Sequence, residues 1–214
     1  TVMDSEGAVD SEVFTLTVTP VNDEPVLTEI GDQATDEDTD FTIDLSASDI
    51  DIGTNGQTLT YSAVSSDESL VMVTTETSDN STSGTLSFAV LDDQNGTADI
   101  TVTVMDSEGA VDSEVFTLTV APVNDVPVID LPESFTFEED KDLVEDFSGF
   151  VDDIDGDELT LTVSGNESIS VSINGFIVTF GAQQDFNGTE TLTFTVNDNQ
   201  GRAIASDDID IIVT

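Results

Sequence analysis

Acidic side chains in this sequence form short groups whose spacing suits metal binding. Asp49 and Asp51 stand two residues apart, and Asp153 and Asp155 repeat that spacing later in the chain. The remaining candidate oxygen donors stand at the ends of predicted strands or in loops: Asn22, Asp23, Glu37, Asp92, Gln94, Asp106, Asn124, Asp125 and Asp198. Carboxylates brought this close repel one another unless a cation joins them.

Calcium is the cation that these residue types favour. It accepts about six to eight oxygen ligands from carboxylates, amides and backbone carbonyls, whereas magnesium requires a tighter octahedron. Zinc would require His or Cys, and the sequence has neither. Two simpler interpretations stay open at this point. The paired acids could be solvated loop residues, and the Asn-Asp pairs, Asp106 and Asp198 could cap their own turns.

The charge balance excludes whole classes of partner. The sequence has 47 Asp and Glu residues but only one Lys and one Arg, which gives a formal net charge of −45. Such a chain repels nucleic-acid phosphates and anionic lipid surfaces, so we expect no nucleic-acid partner and no direct membrane insertion. The acidity could alternatively serve solubility alone.

We expect no enzymatic activity. The sequence has no His or Cys, one Lys, one Arg and no Gly-rich phosphate loop. A pair of carboxylates could act as general acid and base, but close pairs arise by chance among 47 acids.

The chain contains internal repeats. The eighteen residues TVMDSEGAVDSEVFTLTV occupy positions 1–18 and recur unchanged at 103–120, and a diverged copy lies within 186–213. This spacing indicates tandem domains of ~100 residues. We therefore predict the closing strand pair of one repeat at 1–19, a complete repeat at 20–121 and another at 122–214.

The elements that position the acids are predicted to be β-strands. Apolar residues alternate with polar ones, and Gly, Asn and Asp turns separate the runs. The clearest runs are FTIDL (41–45), TLTYSAV (58–64), TLSFAVL (85–91), ADITVTVM (98–105) and EVFTLTV (114–120). The predicted fold class is all-β: tandem immunoglobulin-like or cadherin-like Greek-key β-sandwiches of about seven strands each. A closed barrel is the alternative.

Several motifs resemble those of cadherin repeats, in the same order along the chain. ASDIDIGTNGQTLTY (47–61) resembles the A-x-D-x-D-x-G-x-N motif, VMDSEG (104–109) resembles A-x-D-x-G, and VNDVP (123–127) resembles the D-x-N-D-N-x-P linker. EDT (37–39) resembles the early Glu-Asn pair, and LDDQ (91–94) is a weaker match to L-D-R-E. The chain is most similar to the cadherin-like tandem repeats of large bacterial surface proteins and adhesins.

The resemblance implies Ca²⁺ sites at the junctions between repeats. One junction would use Asn22, Asp23, Asp49, Asp51 and Asp106. The other would use Glu37, Asp92 and Gln94 from the preceding repeat, Asn124 and Asp125 from the linker, and Asp153, Asp155 and Asp198 from the following repeat. The linker lacks the family's leading Asp and second Asn, and position 94 is Gln rather than Glu. These departures imply fewer or weaker ions per junction.

The expected function is that of a calcium-binding structural repeat in a large extracellular bacterial adhesin or surface protein, with calcium stiffening a rod of repeats. The alternatives are a carbohydrate- or protein-recognition module and a passive acidic spacer. Expected partners are the neighbouring repeats of the same chain. Because residues 1–18 duplicate 103–120, and two strands cannot bury a core alone, self-association by homophilic contact or strand swapping is a further expectation.

Overall fold

The computed structural model describes residues 1–78, 82–201 and 204–214. The chain divides into two compact units, Thr1–Ala121 (unit 1) and Pro122–Thr214 (unit 2). The described part of the chain contains no helix with the length and apolarity needed to cross a membrane.

Unit 1 is a two-sheet β-sandwich with a short hairpin before it. The hairpin consists of β1 (Val2–Met3) and β2 (Val9–Asp10). The sandwich contains β3 (Val26–Leu27), β4 (Gln33–Asp36), β5 (Phe41–Ser48), helix α1 (Ile50–Asn55), β6 (Leu59–Ser65), β7 (Val71–Thr77), β8 (Ser83–Val90), β9 (Gly96–Asp106) and β10 (Val111–Ala121). One sheet has the order β4-β10-β9-β6 and the other the order β3-β5-β8-β7.

The first strand of the unit 1 sandwich is divided between the two sheets. β3 pairs antiparallel with β5, and β4 then pairs parallel with β10. The chain crosses between them through Gly31, whose φ of 70° lies in the left-handed region that glycine adopts without steric cost. This division gives eight strand segments among the described residues of the unit 1 sandwich, in place of about seven.

The unit 1 core follows from the strand alternation. Every second residue of β9 from Ala98 to Asp106 is buried, and Ile100, Val102 and Val104 are fully inaccessible. These side chains pack against residues of the opposite sheet in one cluster, where the rings of Phe88 and Phe116 meet edge to face with centroids 6.3 Å apart. The period of two therefore places one face of each sheet in a common core.

Unit 2 repeats this sandwich with an interrupted second strand. It contains β11 (Val128–Ile129), β12 (Ser134–Phe137), β13 (Asp142–Asp146), a 3₁₀ turn (Phe147–Gly149), β14 (Val151–Asp152), β15 (Thr160–Ser164), β16 (Ile169–Asn174), β17 (Ile177–Ala182), β18 (Gly188–Asn197) and β19 (Ile204–Val213). Its main sheet has the order β12-β19-β18-β15, faced by β13-β17-β16, and β11 pairs with β14. The predicted all-β sandwich class is confirmed in both units.

The hairpin at residues 2–10 has the same turn as its duplicate at residues 104–112 of the unit 1 sandwich. Val2 pairs with Asp10 and Met3 with Val9, and the corresponding residues of β9 and β10 pair in the same register. The Asp4 carboxylate accepts hydrogen bonds from the N–H groups of Glu6 and Ala8, both at 2.9 Å. The turn therefore forms in both copies, although the side chains of residues 1–18 are exposed in the first one.

Candidate functional site

Asp49 organises the loop that follows β5. The strand ends at Ser48, and Asp49 caps α1 with an extended backbone, φ −149° and ψ 131°. Its Oδ1 accepts a hydrogen bond from the N–H of Asp51 at 2.7 Å, as N-cap residues do. The cap leaves Oδ2 of Asp49 for another partner.

Asp51 connects this loop to the segment that precedes β3. The Asp51 side chain is buried, and its Oδ2 accepts a hydrogen bond from the N–H of Asp23 at 2.9 Å. Asn22 donates its amide Nδ2 to Oδ2 of Asp106 at 2.8 Å. The structure therefore brings together the five residues predicted for the first calcium site: Asn22, Asp23, Asp49, Asp51 and Asp106.

Asp106 lies at the end of β9 and is only 3% exposed. Its Oδ1 accepts hydrogen bonds from the N–H groups of Glu108 (2.9 Å) and Ala110 (2.8 Å). The hydrogen bond from the Asn22 amide holds the pKa of Asp106 below its ordinary value, against the opposing effect of burial, and the backbone N–H groups of the turn act in the same direction. Asp106 therefore remains ionised although it is buried.

Gln57 is a sixth member of this cluster that the motif comparison missed. It is 5% exposed, and its Nε2 donates to Oδ1 of Asn22 at 2.5 Å. The alternation of inward and outward residues leading into β6 could have identified it. Gln57 precedes the buried Leu59 and Tyr61 by two and four residues, and period-two alternation directs all three inward.

Two buried oxygens of this cluster suit a bound cation. Within the described residues, Oδ2 of Asp49 and Oε1 of Gln57 are buried and accept no hydrogen bond. A buried acceptor left in this state costs about 1–3 kcal/mol, and more when it is charged. Carboxylate and amide oxygens are the donors that calcium prefers. Asp49 and Gln57 are therefore candidate calcium ligands in unit 1, in a hydrogen-bonded cluster that also contains Asn22, Asp23, Asp51 and Asp106.

Unit 2 has the same arrangement. Asn124 donates its amide to Oδ2 of Asp198 at 2.8 Å, and the N–H of Asp125 donates to Oδ2 of Asp155 at 2.8 Å. Asp153 accepts the N–H of Asp155 through Oδ1 at 3.1 Å. Within the part of the chain that is described, its Oδ2 is buried without a hydrogen bond. The five predicted unit 2 residues therefore lie together.

The hydrogen bond from Asn124 is also the main cause of a lowered pKa at Asp198, which is 1% exposed; the N–H of Gln200 adds to this effect. Each cluster thus contains one buried aspartate that stays ionised, Asp106 in unit 1 and Asp198 in unit 2.

Asp157 joins the unit 2 cluster and was not predicted. One carboxylate oxygen from each of Asp153, Asp155 and Asp157 lies within 4.8 Å of the other two, a spacing that could hold a metal ion. Three carboxylates at this separation repel one another strongly without a cation.

The three remaining predicted ligands lie in unit 1. Glu37 is buried, and its N–H donates to the carbonyl of Ala121 at 2.9 Å. Asp92 and Gln94 are exposed, and the Gln94 amide donates to the carbonyl of Asp93. The N–H of Asp93 in turn donates to the Asp38 carboxylate at 3.0 Å. A metal-binding role for Glu37, Asp92 and Gln94 stays a prediction.

Solved structures similar to this chain include cadherin ectodomains. Human CDH23 EC21-23 is 16% identical over 90% of this chain and 70% of its own, with a TM-score of 0.53. Protocadherin Gamma B7 extracellular cadherin domains 1-4 are 16% identical over 89% of this chain and 51% of their own, with a TM-score of 0.50. At these identities the likeness shows the fold alone.

An endo-fucoidan hydrolase from glycoside hydrolase family 107 is 18% identical over 99% of this chain, with a TM-score of 0.38. The chain spans 33% of that protein's length, and a similarity this low carries no argument about activity. No curated protein matches the chain significantly.

A family model described as bacterial Ig domain matches the chain twice, at residues 22–119 and 124–213. The two matches fall on the two sandwiches, and together they cover most of the sequence. The chain therefore belongs to the bacterial Ig domain family and contains two tandem copies of that domain.

Proposed function

We propose that this chain is a calcium-binding structural segment of an extracellular bacterial surface protein or adhesin. In this proposal, its repeats form a rod that Ca²⁺ stiffens at the junctions. The observation that carries it is the pair of matching clusters, each with a buried carboxylate oxygen, Oδ2 of Asp49 or of Asp153, that accepts no hydrogen bond among the described residues. Family membership and the cadherin-like fold support the same function.

The mechanism is linkage between ion binding and order. An ion that binds the folded cluster and not the unfolded chain stabilises the fold by RT ln(1 + [Ca²⁺]/Kd). It also neutralises clustered aspartates that would otherwise repel one another. Asn124 and Asp125 belong to the sequence that connects the repeats, so an ion held beside them would also restrain this connection. The proposed role is structural and involves no catalysis.

Calcium titration calorimetry on the metal-free chain tests the proposal. We expect heat of binding from calcium and a weaker response to magnesium, because magnesium loses its water reluctantly. Chelation should lower the melting temperature and change the small-angle scattering profile. The double variant D49N/D153N should lose most of the calcium binding, because it removes from each cluster the carboxylate whose buried oxygen accepts no hydrogen bond among the described residues.

A matched control is D44N/E138Q, which removes the same charge from two exposed sites outside both clusters. It should bind calcium as the unmodified chain does. If calcium gives no heat and chelation changes neither melting nor scattering, the proposal is refuted, and the passive acidic spacer becomes the better interpretation.

A further inference from the structure

We propose that Gln57 in unit 1 and Asp157 in unit 2 occupy one further ligand position, and that this position makes the unit 2 site bind calcium more tightly than the unit 1 site. The inference rests on the proposed calcium binding and adds to it a residue that sets the difference in affinity between the two sites.

Strand register shows that the two positions correspond. Leu59 pairs with the buried Asp106 in the antiparallel ladder of unit 1. In unit 2, Thr160 pairs with Asn197, so the preceding residue, Leu159, stands opposite Asp198. Gln57 and Asp157 each precede the leucine of their unit by two residues. The loop before them differs in length between the units, so comparison by motif spacing does not align them.

In unit 1 this position presents a neutral oxygen to the cluster. The Gln57 side chain is more than nine-tenths buried, and its Nε2 bonds to Asn22, whose own amide bonds to Asp106. The Gln57 Oε1 is also buried and, within the described ranges, accepts no hydrogen bond. A side-chain amide whose nitrogen donates a hydrogen bond, and whose oxygen accepts none, is suited to coordinate a cation through that oxygen.

In unit 2 the same position presents a charged oxygen. The Asp157 carboxylate approaches those of Asp153 and Asp155 to within 4.8 Å, and its own N–H donates to Oδ1 of Asp153 at 3.3 Å. The Gln200 amide donates to Oδ1 of Asp157 at 3.2 Å. Asp157 is therefore held by the loop that it shares with two predicted ligands.

Because unit 2 has a carboxylate where unit 1 has an amide, the two sites should differ in their affinity for calcium. The number of charged ligands tunes the affinity of calcium sites over orders of magnitude. Asp157 gives the unit 2 site one carboxylate more than Gln57 gives the unit 1 site. We expect the unit 2 site to bind about tenfold more tightly or better, which corresponds to about 1.4 kcal/mol.

Reciprocal substitutions in the full 214-residue chain test this inference. Calcium calorimetry of the unmodified chain should show a tighter and a weaker class of site. D157Q should weaken the tighter class about tenfold or more, and Q57D should strengthen the weaker one. D157N, which keeps the shorter side chain, should weaken the tighter class as D157Q does. The exposed-site variants D44N and E138Q serve as controls for charge.

Tyr61 assigns the effect to a unit, because it is the single tyrosine and the chain has no tryptophan. Its fluorescence reports unfolding of unit 1. The calcium concentration needed to raise the melting temperature of unit 1 should therefore be lower in Q57D than in the unmodified chain. Calcium binding with equal site affinities, unaffected by all three substitutions, would overturn this inference and leave the proposed function standing. Absence of any calcium binding would overturn both.

Discussion

Gly84 provides a sharp test of how unit 1 is packed. It lies in β8, and a Cβ atom added there would stand 2.6 Å from the carbonyl oxygen of Glu76 and 2.9 Å from Cδ2 of Tyr61. The carbonyl belongs to the β7–β8 ladder, in which Thr77 pairs with Gly84. The Tyr61 ring is buried, and its hydroxyl donates to the carbonyl of Thr82 at 3.0 Å. Neither neighbour can move without disturbing the sheet or the core.

The expected cost of G84A follows from these contacts. Overpacking a well-packed site costs about 1–3 kcal/mol, and replacing glycine restricts the unfolded chain, which offsets about 0.4–1 kcal/mol. We expect a net loss of about 1–2 kcal/mol in the free energy of unfolding of unit 1. For a domain of this size, each kcal/mol lowers the melting temperature by about 4–8 °C.

Urea unfolding without calcium, followed by Tyr61 fluorescence, measures this loss. G181A is the matched control in unit 2, because its Cβ would meet only the ends of two side chains, Oδ1 of Asp142 and Oγ of Ser170, both at 2.9 Å. Those groups can rotate away, so its change, followed by circular dichroism, should stay within about 0.5 kcal/mol. An unfolding midpoint of G84A equal to that of the unmodified chain would refute the packing described for Tyr61 and β8.

Two further predictions concern side chains outside the clusters. F116A should destabilise unit 1 by about 3–5 kcal/mol, because Phe116 is 3% exposed. Phe14 lies in the identical sequence but is 82% exposed, so F14A should change the free energy of unfolding followed by Tyr61 fluorescence by less than about 0.5 kcal/mol. Equal losses of stability in the two variants would contradict the fold. Asp146 caps the 3₁₀ turn, and its hydrogen bonds from Ser148 lower its pKa below the ordinary 3.8. Its contribution to stability is therefore complete above that value and is lost as pH falls through the lowered pKa. D146A should unfold at lower urea than the unmodified chain at neutral pH but not in strong acid, and a gap that persists in acid would contradict this assignment.

The strands were predictable because their alternation extends over whole elements. TLTYSAV at 58–64 corresponds to β6 at Leu59–Ser65, and the run at 98–105 lies within β9. Helix α1 was not predicted, because six residues within an acidic motif carry no helical period. The interruption between β13 and β14 depends on Phe147, which is fully buried within the 3₁₀ turn, and tertiary packing of this kind leaves no local signal.

The candidate clusters were predictable in part. The motif order identified Asp49, Asp51 and Asp106, but it missed Gln57 because the family pattern assigns no ligand to that position. The sequence also left open whether Asp106 is a turn residue or a ligand. In the structure it makes the turn through Oδ1 and accepts Asn22 through Oδ2. Ionised carboxylates have about four acceptor sites, so a turn role leaves capacity for an ion.

The shared hairpin turn has a consequence for the order of assembly. Asp4 holds this turn in a copy whose side chains are exposed, so the turn that places Asp106 is encoded by the few residues around it. Contacts of such short sequence separation form quickly, whereas pairing β4 with β10 requires distant parts of the chain to meet. We therefore expect the Asp106 carboxylate to reach its final orientation early in folding, so that the proposed calcium ion would meet a side chain that is already ordered.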